Sequence, residues 1–200
     1  RLATLGIEAD VGTDAISLLG LDDVAVEVNV TPDRGYALSL RGIAREYHHA
    51  TGVAYTDPAR TVTPAQASGF SIALEDSAPI RGVDGCQVFI TRGVESVNPL
   101  APTPGFMVAR LALAGMRSIS LPVDITNYVM LEMGQPIHAY DLDTLSGGIT
   151  VRRAHPGEKL VTLDDVTREL FAEDLLITDE SGPIGLAGVM GGASTEISDS

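Results

Sequence analysis

Tryptophan is absent from this 200-residue chain, and cysteine and lysine occur once each, as Cys86 and Lys159. A single cysteine excludes an internal disulfide. With no Cys/His cluster beside it, it also argues against a structural zinc site. Cys86 lies in the alternating run GCQVFI, which reads as a core position rather than a nucleophile. No apolar run approaches the roughly 18 residues of a membrane span. No basic stretch followed by an apolar one marks a secretory leader. The chain starts at Arg1 rather than Met, so the expectation is a fragment or a processed chain. A reducing cytoplasm is the simplest compartment for this composition. Positive charge is scarce as well: 13 Lys and Arg stand against 27 Asp and Glu, a formal net charge of −14. A domain that grips phosphates non-specifically needs a basic face, so no broad grip on nucleic acid is expected. The plainer role of an acidic surface is solubility.

What is present fits a globular protein. Hydrophobic residues make up 44% of the chain, enough for a core, and aromatics only 4%, so that core must be aliphatic. Twenty-one glycines and 11 prolines call for many turns. A short helix is expected over Thr13 to Leu19, capped by Thr13 or Asp14. Val24 to Val30 alternates as a strand does. Ser39 can cap a helix over Leu40 to Ala50 that ends at Gly52, with Leu40, Ile43, Ala44 and Tyr47 as its apolar face. Residues 51–67 are rich in Thr, Pro and Ala and read as a linker. Strands are expected from Phe70 to Glu75, Gly85 to Val94, Gly148 to Ala154 and Leu175 to Thr178. Lys159 to Leu163 and Thr167 to Phe171 flank Asp164-Asp165 as a hairpin. Thr103, Pro104 and Gly115 bracket a helix over Phe106 to Leu113. The pattern is that of an α+β fold, many strands with a few short helices.

The stretch LPVDITNYVMLEMGQPIHAYD, Leu121 to Asp141, concentrates the polar chemistry. Asp124 or Thr126 can cap a helix that Gly134 closes, and Pro136 stops any continuation. Thr126, Asn127 and His138 are then expected at the two ends of one short helix, able to converge. An imidazole can accept a proton near neutral pH, which makes His138 the candidate for placing a water. Its plain structural role would be to fix the turn after Pro136. Thr126 and Asn127 offer a hydroxyl and an amide, although capping is what such residues usually do. Gly185, Gly188, Gly191 and Gly192 could bring backbone N–H groups to a pocket, or simply make a tight turn. His48, His49 and His155 lack such context and read as surface. No Lys-Ser/Thr follows the glycines, so this is no phosphate-binding loop.

DITNYVMLEMGQPIHAYDLDTL resembles the signature of the editing region in β subunits of bacterial phenylalanyl-tRNA synthetases, with Tyr140 where that signature carries Phe. DDVAVEVNVTPDRGYALSLRGIARE and LAGVMGG resemble two further segments of the same subunit. The resemblance implies the end of a small helical appended domain over 1–52, a linker over 53–67 and a mixed-sheet editing domain over 68–200. It implies hydrolysis of the ester joining tyrosine to the phenylalanine-accepting tRNA. His138 and Asn127 would act at the ester, and Thr126 and Gly188 would hold the amino acid. A glutamate that reads the tyrosine hydroxyl in the family lies beyond Ser200, so an incomplete specificity pocket is expected. The implied partners are the α subunit and the aminoacylated end of the tRNA. No metal or cofactor is expected in this segment; ATP and magnesium belong to the whole enzyme. The alternatives are a non-catalytic scaffold or tRNA-docking module, a free-standing editing protein acting in trans, and a Cys86 nucleophile.

Overall fold

The computed structural model describes residues 9–60 and 70–198. Residues 1–8, 61–69 and 199–200 lie outside the described residues, and with them part of the expected linker, 61–67. The chain divides into two units, a helical one built from 9–60 with Asn98–Ile137 and a sheet unit built from 70–97 with 138–198.

In the helical unit, α1 (Ala15–Leu18) starts at Asp14, whose carboxylate accepts the Ile16 N–H at 3.0 Å. Helix α2 (Leu40–Thr51) begins at Ser39, whose Oγ accepts the Gly42 N–H at 3.1 Å, and ends at Gly52 with φ 74°. Both ends follow the sequence expectation. Its apolar face does not: Leu40, Ala44 and Tyr47 are exposed, and Gly42 is the buried position. A Cβ on Gly42 would collide with the Tyr36 carbonyl, so close approach of the preceding turn decides which face goes inside. Helix α3 (Gly105–Leu113) buries Met107, Ala109 and Leu111. Leu111 is fully enclosed, a burial worth about 1.5–3 kcal/mol. Helix α4 (Leu121–Met133) packs against both α2 and α3. That packing draws 98–137 into the helical unit, where a linear division had kept 68–200 together.

In the sheet unit, the strands are β1 (Ile72–Glu75), β2 (Ile149–Arg153), β3 (Lys159–Val161), β4 (Thr167–Glu169), β5 (Leu175–Asp179), β6 (Gly182–Leu186) and β7 (Met190–Gly191). Five of them form one sheet in the order β1-β2-β5-β6-β7, and β3 pairs with β4. Only β1 and β2 run parallel, with Ile72 opposite Ile149; the other pairs are antiparallel. A parallel pair needs a long connection, and the chain between β1 and β2 carries α3 and α4. Ala154, Leu160, Leu170 and Leu176 make the core cluster, with Leu186 packed on it. At the end of β2, Arg153 pairs two-pronged with Asp76 at 2.7 and 2.8 Å. Arg153 also donates to the Glu173 carbonyl at 2.6 Å, and the Gly85 N–H donates to Asp76 at 2.7 Å. These charge-assisted bonds tie three loops to the sheet edge and hold the Asp76 carboxyl well below the usual carboxylate range. The fold is α+β.

Two expected strands are not formed. Val24 to Val30 forms no strand, with Val24, Val26 and Val28 exposed. Residues 85–94 form no strand either, and Val88 and Ile90 are 74% and 76% exposed. Alternation encodes a strand with one apolar face, but a strand exists only where an edge accepts its backbone. Cys86 is consequently not a core residue: it is half-buried, with Sγ 3.5 Å from the Val88 carbonyl.

Candidate functional site

The helical half of the central motif uses its polar groups internally. Asp124 is fully buried in the first turn of α4. Its Oδ2 accepts hydrogen bonds from Thr103 Oγ1 at 2.5 Å and Ser118 Oγ at 2.6 Å, and its Oδ1 accepts the Ile119 N–H at 2.9 Å. Neither Asp124 nor Thr126 caps the helix. Ser120 occupies that position, one turn earlier than expected, because Pro122 fits the first turn where its missing N–H costs nothing. Thr126 and Asn127 are therefore the sixth and seventh residues of α4, not its start, and both are half-buried. The Thr126 hydroxyl donates to the Val123 carbonyl at 2.7 Å, a back-bond within the helix. Gly134 closes α4 with φ 75°, as read from sequence. Thr126 and Asn127 belong to the helical unit, His138 and Gly188 to the sheet unit.

His138 opens the sheet half. Its residue remains accessible to solvent, yet the protein packed around the ring removes enough water to lower the imidazole pKa from its ordinary value. The imidazole is thus neutral at pH 7 and keeps a lone pair for a proton. The Tyr140 ring meets it edge to face, with centroids 4.6 Å apart and planes at 83°. Gly191 of β7 lies directly against the imidazole: a Cβ there would collide with its Cε1, and would stand 2.5 Å from Nε2. Only glycine lets the ring sit so close to the strand backbone. Three residues after His138, Asp141 anchors the segment. Its N–H donates to the Thr195 carbonyl at 3.1 Å, and its Oδ2 accepts from Ser198 Oγ at 2.7 Å.

Gly188 has a different place. It is the third residue of the turn Leu186–Val189 between β6 and β7, closed by a 3.0 Å bond from the Val189 N–H to the Leu186 carbonyl. Its φ of 71° is the left-handed value that such a turn asks of glycine. Nothing lies within 4 Å of where its Cβ would stand. The family resemblance singles out Gly188 among the four glycines as the contact to the amino acid, yet it is Gly191 that the structure sets against His138. A polar cleft of about 410 Å³ crosses β1, β2 and β5, lined by Glu75, Arg152, Thr178 and Glu180 among others. None of Thr126, Asn127, His138 or Gly188 lines it. Among the described residues no group of three or more His, Cys, Asp or Glu has the geometry to hold a metal ion. No helix of the described residues is long and apolar enough to cross a membrane.

A family model described as the B3/4 domain matches residues 85–200, more than half of the chain. The chain belongs to the B3/4 domain family. Its sequence is 72% identical to the phenylalanine–tRNA ligase β subunit of Leifsonia xyli subsp. xyli, over 98% of this chain and 24% of that protein. It is 58% identical to the β subunit of Thermobifida fusca, over 94% of this chain and 22% of that one. The chain therefore spans about a quarter of the length of these relatives. A crystal structure of an N-terminal fragment of the phenylalanyl-tRNA synthetase β subunit from Pyrococcus horikoshii matches at 12% identity and a TM-score of 0.38, over 84% of this chain and 51% of that one. The resemblance read from the DITNYVMLE and LAGVMGG motifs is borne out along nearly the whole length, and this B3/4 domain is part of a synthetase β-subunit sequence.

Proposed function

We propose that this chain carries the site at which a phenylalanyl-tRNA synthetase hydrolyses tyrosine from its mischarged tRNA. The observation that carries the reading is His138: an accessible imidazole, kept neutral by partial desolvation, pressed against the glycine backbone of β7. In this reading His138 takes a proton as water adds to the ester carbonyl. The acyl–oxygen bond to the ribose then breaks, the ribose oxygen receives the proton, and free tyrosine leaves. The Gly188 backbone contacts the amino acid. A general base of this kind contributes about 10²–10⁴-fold, which suits an activated ester and needs no covalent nucleophile.

The need for such a site follows from binding physics. A pocket shaped for phenylalanine rejects an isostere with one added hydroxyl by only about 10²-fold. A second site that clears the error restores accuracy. The α subunit and the aminoacylated tRNA end are the partners of this reading, in the cytoplasm, with ATP and magnesium used elsewhere in the enzyme. The net charge of −14 fits contact limited to the tRNA end, with the phosphate grip supplied by other parts. A scaffold role has one observation in its favour, the exposed Val24, Val26 and Val28 on a segment outside any helix or strand. The test is parallel deacylation of tyrosyl and phenylalanyl esters of the phenylalanine-accepting tRNA by the complete heteromer carrying this sequence. Selective loss of tyrosine supports hydrolysis. Equal stability of both esters leaves the scaffold reading.

A further inference from the structure

The hydroxyl of Tyr140 has no use inside the protein. Its oxygen is closed off from solvent and makes no hydrogen bond among the described residues. A buried hydroxyl without a partner is costly, and phenylalanine would fill the same space without that cost. Burial pushes the phenol up to about 12, so it is a protonated donor at any working pH.

The surroundings explain how this donor can be used. The ring as a whole is only half-buried. Toward the sheet its oxygen faces Gly185, where a Cβ would stand 3.7 Å away, so no side chain from that position pins it. Toward solvent the ring abuts His138, which is itself accessible. A ligand that reaches the imidazole is within one ring's breadth of Tyr140. The neighbouring Asp141 is fastened to Thr195 and Ser198, which anchors the segment beside the ring.

We propose that Tyr140 is a substrate-contacting residue: when the ester is bound at His138 the ring turns out, and its O–H donates a hydrogen bond to an acceptor oxygen of the aminoacyl group. This deepens the hydrolytic reading and rests on it. The hydroxyl exchanges an unsatisfied position in the free protein for a satisfied one with substrate, which adds binding selectivity for an ester that offers an oxygen there.

The experiment is Tyr140→Phe in the complete heteromer carrying this sequence. Hydrolysis of the tyrosyl ester is followed as kcat and KM separately, together with amide hydrogen exchange over residues 138–141 and 190–195. Tyr140→Phe keeps the ring and removes only the oxygen. The expected result is a KM raised about 5-fold, the scale of one lost hydrogen bond, with kcat within about twofold and exchange unchanged. An unchanged KM overturns the proposal and leaves the hydrolytic reading intact. Faster exchange in either segment also overturns it, because the hydroxyl would then be holding the fold. A parent enzyme that does not hydrolyse the ester overturns both.

Discussion

The two halves of the LPVDITNYVMLEMGQPIHAYD stretch treat their polar groups in opposite ways. In helix α4, Asp124 is buried with three donors around it, and the Thr126 hydroxyl is bonded to its own helix. In the segment after Gly134, the His138 imidazole is only partly desolvated and the Tyr140 hydroxyl is buried without a partner. Full satisfaction is what a structural anchor needs, because an orphaned buried group costs more than its bond gains. Incomplete satisfaction is tolerated where a ligand supplies the missing partner. A motif that reads as one unit in sequence thus holds an anchor followed by an edge whose polar groups the fold leaves incompletely satisfied.

The largest effect should come from breaking the anchor. Asp124→Ala strands two hydroxyls and an N–H in a buried setting, and a loss of about 3–5 kcal/mol is expected in urea unfolding. A loss below about 1 kcal/mol would erase the contrast between the halves. Next comes Gly192→Ala, whose Cβ would stand 2.8 Å from the Ile184 carbonyl oxygen. Backbone cannot step aside cheaply, so about 1–3 kcal/mol should be lost. Gly191→Ala, one residue earlier, meets the His138 ring instead. A side chain can move, so stability should change by less than about 1 kcal/mol. The displaced imidazole should titrate closer to its ordinary 6.5, read from its ring proton resonances by NMR. An unmoved pKa in Gly191→Ala would show that β7 does not set the imidazole environment.

The smallest effect sharpens the comparison by showing that the sheet unit satisfies its charges elsewhere. Glu158 accepts a two-pronged bond from Arg152 at 2.6 and 2.9 Å, which holds its carboxyl at about 2 against an ordinary 4.5. Because the folded pKa is depressed, the unfolded chain binds protons first as pH falls. The stabilisation is complete above pH 4.5 and fades as pH drops toward about 2. Glu158→Gln should make the fall in stability between those limits shallower, and unfolding midpoints across that pH range would show it.

Local chemistry was legible in the sequence wherever one residue decides it. Ser39, Gly52 and Gly134 read as helix ends in the sequence and are helix ends in the structure. The Asp164-Asp165 turn carried no glycine, and Asp165 itself takes the left-handed φ of 59°. The sequence reading places the α4 start a turn too late because Asp124 and Thr126 both suit a cap, and only packing assigns Asp124 to Thr103 and Ser118 and leaves the cap to Ser120. Strands depended on partners. Gly148 to Ala154 and Leu175 to Thr178 found each other as β2 and β5, whereas 24–30 and 85–94 carried equal alternation and found none. In the candidate site, His138 was legible by residue type. Its contact with Gly191 was not, since four glycines in one run look alike until the sheet register sets Gly185 opposite Gly191.

His138→Ala in the complete heteromer carrying this sequence tests the central claim most directly, with tyrosyl-ester hydrolysis and phenylalanine charging measured side by side. The account predicts a fall of about 10²-fold or more in hydrolysis, with charging unchanged. Hydrolysis at the parent rate, or equal losses in both reactions, would contradict it.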